Sequence, residues 1–524
     1  MKQLKKTGSI LSNLLIKLAL ILMILLIGSY AKVRWDFSRN KAYSLSAVSK
    51  QAVGKLKDNM VVKLYTSKEL PAEMLVLDRY VKDLLEEYKQ AGKGKFHYEV
   101  INGPTQEELK NKANQFGIGT MYFRIFENDK TTTKEIVYGL VFEYQGNFES
   151  MNVLPKMQSQ LEYAMTLKIQ KISRYTLPDI SAFADSLYLL MPKQKYADEL
   201  SANYNIHFTN LMEPLAQTPV LIFHSGYASL SPVQLYNLDQ YIMKGGKLVV
   251  LADKVISDGE RVWELQSNLF DFLENYGIKF SSDLAMDIFC DSRQMGVDTN
   301  ISFPIYPVLR GSEHPITRNI SNIVIYMGNG IIFNRKPGLK FQAILATSTK
   351  SALLEGPDYQ LDSRLFLHPD PDVFQNPPIP LGAIVEGKFT SYFTDKPESR
   401  NPGFVSAVPD GKIVVFGDRE LYVDSDKPIY DNRFQLILNA VDWLMERNDM
   451  LSIRSRHLQE SILDIPYYIN KKELAWGDPA KTEQRIKLGI KLTATILPSL
   501  ILIAIGGIIA LNRKRTIGLQ DEEV

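Results

Sequence analysis

The stretch "GKIVVFGDRE", residues 411–420, decides the fold, because its pattern indicates a buried parallel strand that ends at a glycine. Its apolar residues follow one another without the polar alternation of a half-exposed strand. Gly417 ends the run, and Asp418, Arg419 and Glu420 follow at its carboxyl end. In open α/β sheets, ligands and catalytic groups collect at that edge. The stretch therefore predicts an α/β sheet and directs the search for function to its strand ends.

Other segments of the same kind predict the rest of this sheet. The helix-like stretch "SPVQLYNLDQYIMKGG" separates two of them, with Pro232 near its first turn and a Gly-Gly pair at its end. Alternation of strands and helices predicts a doubly wound parallel sheet, flavodoxin-like or amidotransferase-like, over residues 158–455. The further strands are predicted at "SLYLLM", "PVLIFHS", "GKLVVLAD" and "FQAILAT".

A smaller α/β unit is predicted before it, over residues 32–157. Residues 61–102 have the pattern of a strand, an amphipathic helix and a second strand. Two more strands, "TMYFRIFE" and "KEIVYGLVFEYQ", flank a polar turn. These elements predict a thioredoxin-like layer. The region contains no cysteine, so the C-x-x-C pair of a redox thioredoxin is excluded.

Composition excludes several classes of protein. Of the 524 residues, 61 are Lys or Arg and 59 are Asp or Glu, which leaves a formal charge of only +2. That balance gives no electrostatic argument for nucleic-acid binding. The single cysteine, Cys290, excludes an intramolecular disulfide and a thiolate zinc site.

Two apolar segments predict membrane-spanning helices near the chain ends. Residues 492–511 carry no charge and match the ~20 residues that a bilayer core requires. Residues 14–31 form the first span, although a cleavable signal peptide fits the same stretch. We expect a two-pass protein of the inner membrane with cytoplasmic tails, residues 1–13 and 512–524. The large domain then lies in the periplasm, and a juxtamembrane segment, residues 456–491, leads to the second span.

The predicted strand ends lack the motifs of common enzymes. "FHSGYAS" supplies His224 and Ser225 without the G-x-S-x-G frame of a hydrolase, and no phosphate-binding loop is present. His224 is expected to be a satisfied histidine at a strand end. The extended stretch "HPDPD" is a weak metal candidate. We therefore expect no catalytic, cofactor-binding or metal-binding residues.

Three charged residues at the strand ends are the candidate contacts for a partner or ligand: Asp253, Asp418 and Arg419. Asp253 and Asp418 each follow a hydrophobic strand, so they fit either a carboxylate pair for acid/base chemistry or caps of the following turns. The second interpretation is favoured, because no candidate nucleophile accompanies them.

The chain resembles a known family, the Gld-type gliding-motility auxiliary proteins of ABC transport systems. The resemblance is carried by an ordered set of stretches that spans nearly the whole chain. It departs from the family at "DISAFADSLYLLMPKQKYADEL", where such proteins usually show a strand leading to a Gly-His-rich turn. The stretches are "DFSRNKAYSLSAVSKQAV", "IVYGLVFEYQGN", "LDQYIMKGGKLVVLAD", "PLGAIVEGKFTSYF" and the segment from "GKIVVFGDRELYVD" to "LMERNDMLSIRSR".

The resemblance implies a non-catalytic accessory subunit, anchored in the membrane, that works with an ABC permease and a cytoplasmic ATPase. In gliding bacteria, such proteins are linked to surface motility and secretion. The implied partners are these two subunits and membrane lipid, with no nucleic acid and an unknown small-molecule ligand. Two alternatives remain open, a ligand-binding receptor outside the cytoplasm and a degenerate amidotransferase-like enzyme.

Overall fold

Two large mixed β-sheets organise the part of the chain that the computed structural model describes. All of this part belongs to one compact unit. No helix within it is long and apolar enough to cross a membrane, and the spans predicted at 14–31 and 492–511 lie outside it. The described residues are 44–127, 130–173, 177–184, 194–257, 261–295, 299–318, 320, 322–359, 370–423 and 433–457.

The first sheet has five strands in the order β2-β1-β4-β3, with β5 also paired to β4. Strands β1 and β2 are parallel and are connected by the predicted amphipathic helix, α2, while β3 and β4 form the predicted antiparallel pair. The elements are α1 (Ala47–Gly54), β1 (Met60–Thr66), α2 (Ala72–Ala91), β2 (Phe96–Ile101), α3 (Gln106–Asn114), β3 (Thr120–Glu127), β4 (Lys130–Tyr144), β5 (Asn147–Asn152), a short 3₁₀ helix (Pro155–Gln160) and α4 (Leu161–Ile172).

The rest of the described chain builds a ten-stranded sheet and two small sheets. Its helices are α5 (Gln194–Asn203), α6 (Pro232–Met243), α7 (Asn268–Asn275), α8 (Gln435–Leu444) and α9 (Asn448–His457). Two short 3₁₀ helices lie at Pro371–Val373 and Pro397–Arg400. Its strands are β6 (Asp179–Ala184), β7 (Asn205–Thr209), β8 (Val220–His224), β9 (Lys247–Leu251), β10 (Val255–Ser257), β11 (Val262–Glu264), β12 (Ile278–Asp287), β13 (Cys290–Met295), β14 (Thr299–Gly311), β15 (Ile323–Val324), β16 (Asn329–Phe333), β17 (Leu339–Ala346), β18 (Ser351–Leu354), β19 (Pro380–Thr390) and β20 (Ala407–Phe416).

Half of the large sheet is parallel, in the order β7-β6-β8-β9-β20. Numbered along the chain, this is the order 2-1-3-4-5 of flavodoxin-like doubly wound sheets. The chain leaves this half after β9 and returns to it only with β20. Most of the intervening strands extend the sheet in antiparallel fashion through β19, β17, β14 and β13, or form the two small sheets.

Helices cover both faces of the parallel half, which explains its unbroken apolar strands. Alternate residues of one strand point to opposite faces. In β20, Val414 packs in the cluster that contains α5 and α8, while Ile413 and Val415 pack in the cluster that contains α6 and α7. The same alternation holds in β9, where Val249 faces the first cluster and Val250 the second.

Helix α6 begins and ends where the sequence predicts. The Ser231 hydroxyl accepts a hydrogen bond from the Gln234 backbone N–H, and the Gln234 side chain accepts one from the Ser231 N–H. This reciprocal pair is a capping box. Pro232 occupies the first turn, and Gly245 leaves the helix with a φ of 92°, a conformation that favours glycine.

The sequence prediction of an all-parallel sheet is wrong in one half. The "FQAILAT" segment belongs to β17, which is antiparallel to both of its neighbours and largely exposed along its first part. The apolar residues of β17 are buried over only part of the strand. The direction of a strand relative to its neighbours cannot be predicted from the residue pattern of that strand alone. The first parallel strand is β6, whereas "SLYLLM" at residues 186–191 lies outside the described residues.

The first and last described helices meet in a cluster near the amino edge of the large sheet. Val48 of α1 packs with Tyr163 of α4 and with Met450 and Ile453 of α9. Beside them lies a buried polar network, which we call the base cluster: Tyr163, Tyr204, Asn439, Asp442 and Arg454. The two ends of the described chain are therefore joined at one place.

Arg454 connects the base cluster. Its guanidinium donates to Asp442 Oδ2 at 2.8 Å, to Asn439 Oδ1 at 2.7 Å and to the Tyr163 hydroxyl at 3.2 Å. Asp442 is fully buried and also accepts from Tyr204 and from Arg447. Removing one partner of a buried ion pair leaves the other charge unpaired in the protein interior, which solvates it poorly.

Replacing Arg454 with alanine should lower the free energy of unfolding by roughly 3–5 kcal/mol, because Asp442 would lose its buried partner. The matched control is Arg447→Ala, whose guanidinium contacts the same carboxylate but is 19% exposed. Its loss should cost at most about 1 kcal/mol. Urea unfolding of the full-length variants in detergent measures both values. Equal losses would contradict the assignment of Arg454 as the connecting residue.

Candidate functional site

A cleft of about 390 Å³ lies at the carboxyl edge of the parallel strands β9 and β20. We call it the carboxyl-edge cleft. Four charged residues line it, Asp253, Asp418, Arg419 and Glu420. The aromatic lining is Tyr227, Tyr306 and Tyr326, and the remaining lining is Val255, Ser257 and Met327.

Strand register brings the two aspartates together. Leu251 of β9 pairs with Phe416 of β20 in parallel, and each aspartate lies two residues beyond its strand's paired residue. Asp253 and Asp418 therefore stand at the same level of adjacent strands, and both are buried. Two neighbouring buried carboxylates repel each other unless cations accompany them.

Arg419 neutralises Asp253. Its Nη2 lies 2.6 Å and its Nε 3.0 Å from Asp253 Oδ1, and its backbone N–H donates to Oδ2 at 2.9 Å. The guanidinium also donates to the backbone carbonyls of Gly226 and Val255. Arg419 thereby joins the ends of β8, β9 and β20.

Arg433 neutralises Asp418. Its Nη2 lies 2.5 Å from Asp418 Oδ2 and 3.2 Å from the Glu420 carbonyl oxygen. Asp418 also accepts from the backbone N–H groups of Tyr326 and Glu420. Burial nevertheless raises the pKa of Asp418 to about 6, against the opposing effect of Arg433.

Glycine permits the close packing behind this edge. A Cβ on Gly417 would lie 2.6 Å from the carbonyl oxygen of Asn329, closer than real Cβ contacts come. The Asn329 side chain accepts from the Lys254 backbone N–H at 2.7 Å and donates to the Asp283 carbonyl oxygen. The absence of a side chain at Gly417 thus lets the first residue of β16, Asn329, pack against the ends of β9 and β20.

Aromatic rings line the cleft beside the two guanidinium groups. Arg419 lies over the ring of Tyr227 at 4.3 Å, and Arg433 lies over the ring of Tyr326 at 4.4 Å. Tyr306 meets Tyr326 edge to face at 5.1 Å. Such geometry is typical of cation–π contacts. The cleft wall therefore combines aromatic rings with paired charges.

The structure brings together the three residues predicted from the sequence, Asp253, Asp418 and Arg419. Each one has partners within the chain, and their contact with a partner molecule or ligand stays a prediction. Sequence reasoning missed Arg433, because the stretch "DNRFQLIL" indicates only the start of a helix. It also missed the cleft tyrosines: Tyr227 and Tyr326 lie on loops and Tyr306 lies in β14, and no local pattern places them beside a strand end.

The neighbouring strand end, at β8, is filled by side chains. His224 is buried, with Nε2 3.0 Å from the Tyr196 hydroxyl and Nδ1 3.0 Å from the Phe183 carbonyl oxygen. Burial lowers its pKa to about 4, so the imidazole is neutral at physiological pH. His224 thus agrees with the expectation of a satisfied histidine. The cavity beside Ser225 measures only about 10 Å³, room for about one water molecule.

Metal-binding geometry is not found among the described residues, where no group of three or more His, Cys, Asp or Glu side chains converges. In the "HPDPD" stretch, His368 lies outside the described residues. Asp370 and Asp372 are described, and the Asp370 carboxylate accepts from the Asp372 backbone N–H at 3.0 Å. Asp370 there acts as the cap of a short 3₁₀ helix.

Comparisons with known proteins place these features in a family context. A family model described as "ABC-type uncharacterized transport system" matches residues 168–441, which is more than half of the chain and contains the cleft. A second, described only as a domain of unknown function, matches residues 39–143. An uncharacterized protein of Borreliella burgdorferi is 22% identical over 520 residues, covering 96% of this chain and 98% of that protein. A solved structure, "mmIFT52 N-terminal domain", is 16% identical, covers 51% of this chain and 97% of that chain, and has a TM-score of 0.32.

The pKa of Asp418 makes a pH prediction. Since the folded-state pKa is raised, the folded chain holds this proton more tightly than the unfolded chain. Its stabilising contribution is complete below about pH 4 and is lost as pH rises through about 6. The stability difference between the parent chain and Asp418→Asn should therefore fall by up to about 3 kcal/mol between pH 4 and pH 7. Urea unfolding at several pH values measures it.

The exposed substitution Asp372→Asn is the control for the pH series. The pH dependence of Asp418→Asn beyond that of this control is the part attributed to burial. A flat or rising difference for Asp418→Asn would contradict the effect attributed to burial.

Proposed function

The chain belongs to the family described as "ABC-type uncharacterized transport system", and from that premise we propose that it is a non-catalytic accessory subunit of an ABC-type transporter. The observation that carries the non-catalytic part is the pairing at the strand ends. Asp253 and Asp418 would be the carboxylates of any acid/base chemistry there, yet each is bound by an arginine. Both side chains are buried and their oxygens accept hydrogen bonds from within the chain, so neither carboxylate is free to approach a substrate.

The lone cysteine supports the same proposal. Burial raises the pKa of the Cys290 thiol to about 11, so almost no thiolate is present near neutral pH. An amidotransferase-like or other thiol enzyme needs the thiolate as nucleophile. The degenerate-enzyme alternative is therefore the least supported of the three.

Anchoring in the inner membrane is the second part of the proposal. The apolar segments 14–31 and 492–511 flank a domain whose first and last described helices, α1 and α9, pack together. We propose that both segments span the membrane and that the domain stands outside the cytoplasm, where it meets a permease, while the ATPase acts from the cytoplasm.

The resemblance to Gld-type proteins supports a finer proposal, that the transporter serves gliding motility or secretion. The carboxyl-edge cleft favours a second candidate function, a receptor tethered to the transporter. Its volume of about 390 Å³ falls within the ~300–1,000 Å³ of small-molecule sites.

Association with a transporter is tested by purification of the tagged full chain from its native membranes in mild detergent. We expect an ABC permease and an ABC ATPase to co-purify in a constant ratio, measured by quantitative mass spectrometry. An untagged strain and an equally abundant tagged two-span protein serve as controls. Recovery of the chain without either subunit would contradict the accessory role.

Membrane topology is tested with single cysteines in a Cys290→Ser background, which should itself keep the parent chain's association. In intact spheroplasts, a membrane-impermeant maleimide should label exposed Lys244→Cys. It should label Glu522→Cys, in the predicted cytoplasmic tail, only after permeabilisation. Labelling of Glu522→Cys in intact spheroplasts would contradict the two-pass arrangement.

A further inference from the structure

We propose that the carboxyl-edge cleft binds a small organic cation, an ammonium or guanidinium group on an aliphatic body. Glu420 would balance its charge, and the tyrosine rings of the cleft would contact it. The inference deepens the receptor candidate given above and rests on the proposed function for its biological setting. Its evidence is the distribution of charge within the cleft.

The positively charged side chains of the cleft are already paired with carboxylates of the chain. The Arg419 side chain is 3% exposed and donates to Asp253, Gly226 and Val255. Arg433, behind the wall, is buried against Asp418. The nearby Lys254 ammonium lies 2.8 Å from the Glu264 carboxylate. Among the described residues of the cleft, no cation is left to recognise an anionic ligand.

Among the cleft residues that the structure describes, every carboxylate except one is paired with an arginine. Asp253 is balanced by Arg419, and Asp418 is balanced by Arg433. Glu420 is exposed, and its carboxylate has no hydrogen-bond or ion-pair partner among the described residues. The position of Glu420 is nevertheless fixed, because its backbone N–H donates to Asp418 and its carbonyl accepts from Arg433. Within the described part of the chain, the cleft therefore presents one carboxylate without a partner, on a backbone held at both its N–H and its carbonyl.

Two rings of the cleft already contact cations of the chain itself. Tyr227 and Tyr326 each already hold a guanidinium over the ring, at 4.3 and 4.4 Å. Tyr227 remains 52% exposed. The negative face of an aromatic ring attracts ammonium and guanidinium groups alike. A carboxylate beside such rings is a common arrangement for recognising an organic cation.

The remaining lining accounts for the rest of the ligand. Val255 and Met327 offer apolar surface suited to methylene groups. The cavity of about 390 Å³ is near the lower limit of small-molecule sites and favours a compact ligand over a folded partner. A short aliphatic chain ending in a cationic group matches both the surface and the size.

The test is isothermal titration calorimetry of the full chain in detergent with agmatine, which carries a guanidinium and an ammonium on four methylenes. Agmatine should bind, glutarate and butanediol should not, and rising salt should weaken binding. Glu420→Gln should lower the agmatine affinity at least about tenfold. The matched control, Glu107→Gln, makes the same charge change on exposed surface of α3 and should leave affinity unchanged. Unchanged melting temperatures would verify that both variants fold.

Three results would overturn the inference. They are binding of glutarate in place of agmatine, equal agmatine affinity for Glu420→Gln and the parent chain, or tighter binding of a capped arginine tripeptide than of agmatine. Tighter binding of the tripeptide would indicate that the cleft recognises an arginine side chain of a partner protein and not a small molecule. Glu420→Gln should still co-purify with the permease and ATPase. Failure of the parent chain to co-purify would contradict the accessory role without affecting agmatine binding, so the two proposals fail separately.

Discussion

The contact between Arg419 and Asp253 is the interaction on which the carboxyl-edge cleft depends. It joins residues 166 positions apart, at the ends of strands that become neighbours only after a long excursion of the chain. The parallel register of β9 and β20 forces two carboxylates to the same level in a buried place. That arrangement is tolerable only with a guanidinium for each, and the second comes from Arg433. The cleft wall is thus a consequence of strand register and charge neutralisation.

The sequence predicts the central part of this architecture well and its periphery poorly. Unbroken apolar runs identify β8, β9 and β20 as strands buried on both faces, and the ends of these strands locate Asp253, Asp418 and Arg419 from the sequence alone. The direction of the strands is not predicted by the sequence pattern. The segment of β17 has a similar apolar composition, but its pairing is antiparallel, because direction is set by connections and partners rather than by local pattern.

The candidate site shows the same limit. The sequence predicts that these charged residues cluster, because the carboxyl ends of parallel strands meet at one edge of the sheet. It does not predict that they neutralise each other, because that depends on the distances between them. Arg433 precedes a helix, and Tyr227 and Tyr326 lie on separate loops, so only the folded chain shows them as one wall. Glu420 differs from its neighbours only in exposure and in the lack of a described partner. Exposure of this kind is a tertiary property that the charged triplet at residues 418–420 does not encode.

The large sheet has a buried network of charged residues at each of its two edges. Lys247, the first residue of β9, donates to the carbonyl of Leu444, the last residue of α8, which places the base cluster near the amino edge. The cleft lies at the opposite, carboxyl edge. Buried ion pairs are costly to form, and here two sets of them lie at opposite edges of the sheet, one in the base cluster and one at the cleft.

The central claim is that the carboxyl-edge cleft is where this chain recognises its ligand. Hydrogen–deuterium exchange of the full chain with and without agmatine tests it most directly, because it locates a response without assuming which residues respond. The account predicts slower exchange in the segments 225–228, 253–257 and 418–423, and no change in the first sheet. Protection confined to other segments, or none at saturating agmatine, would contradict it.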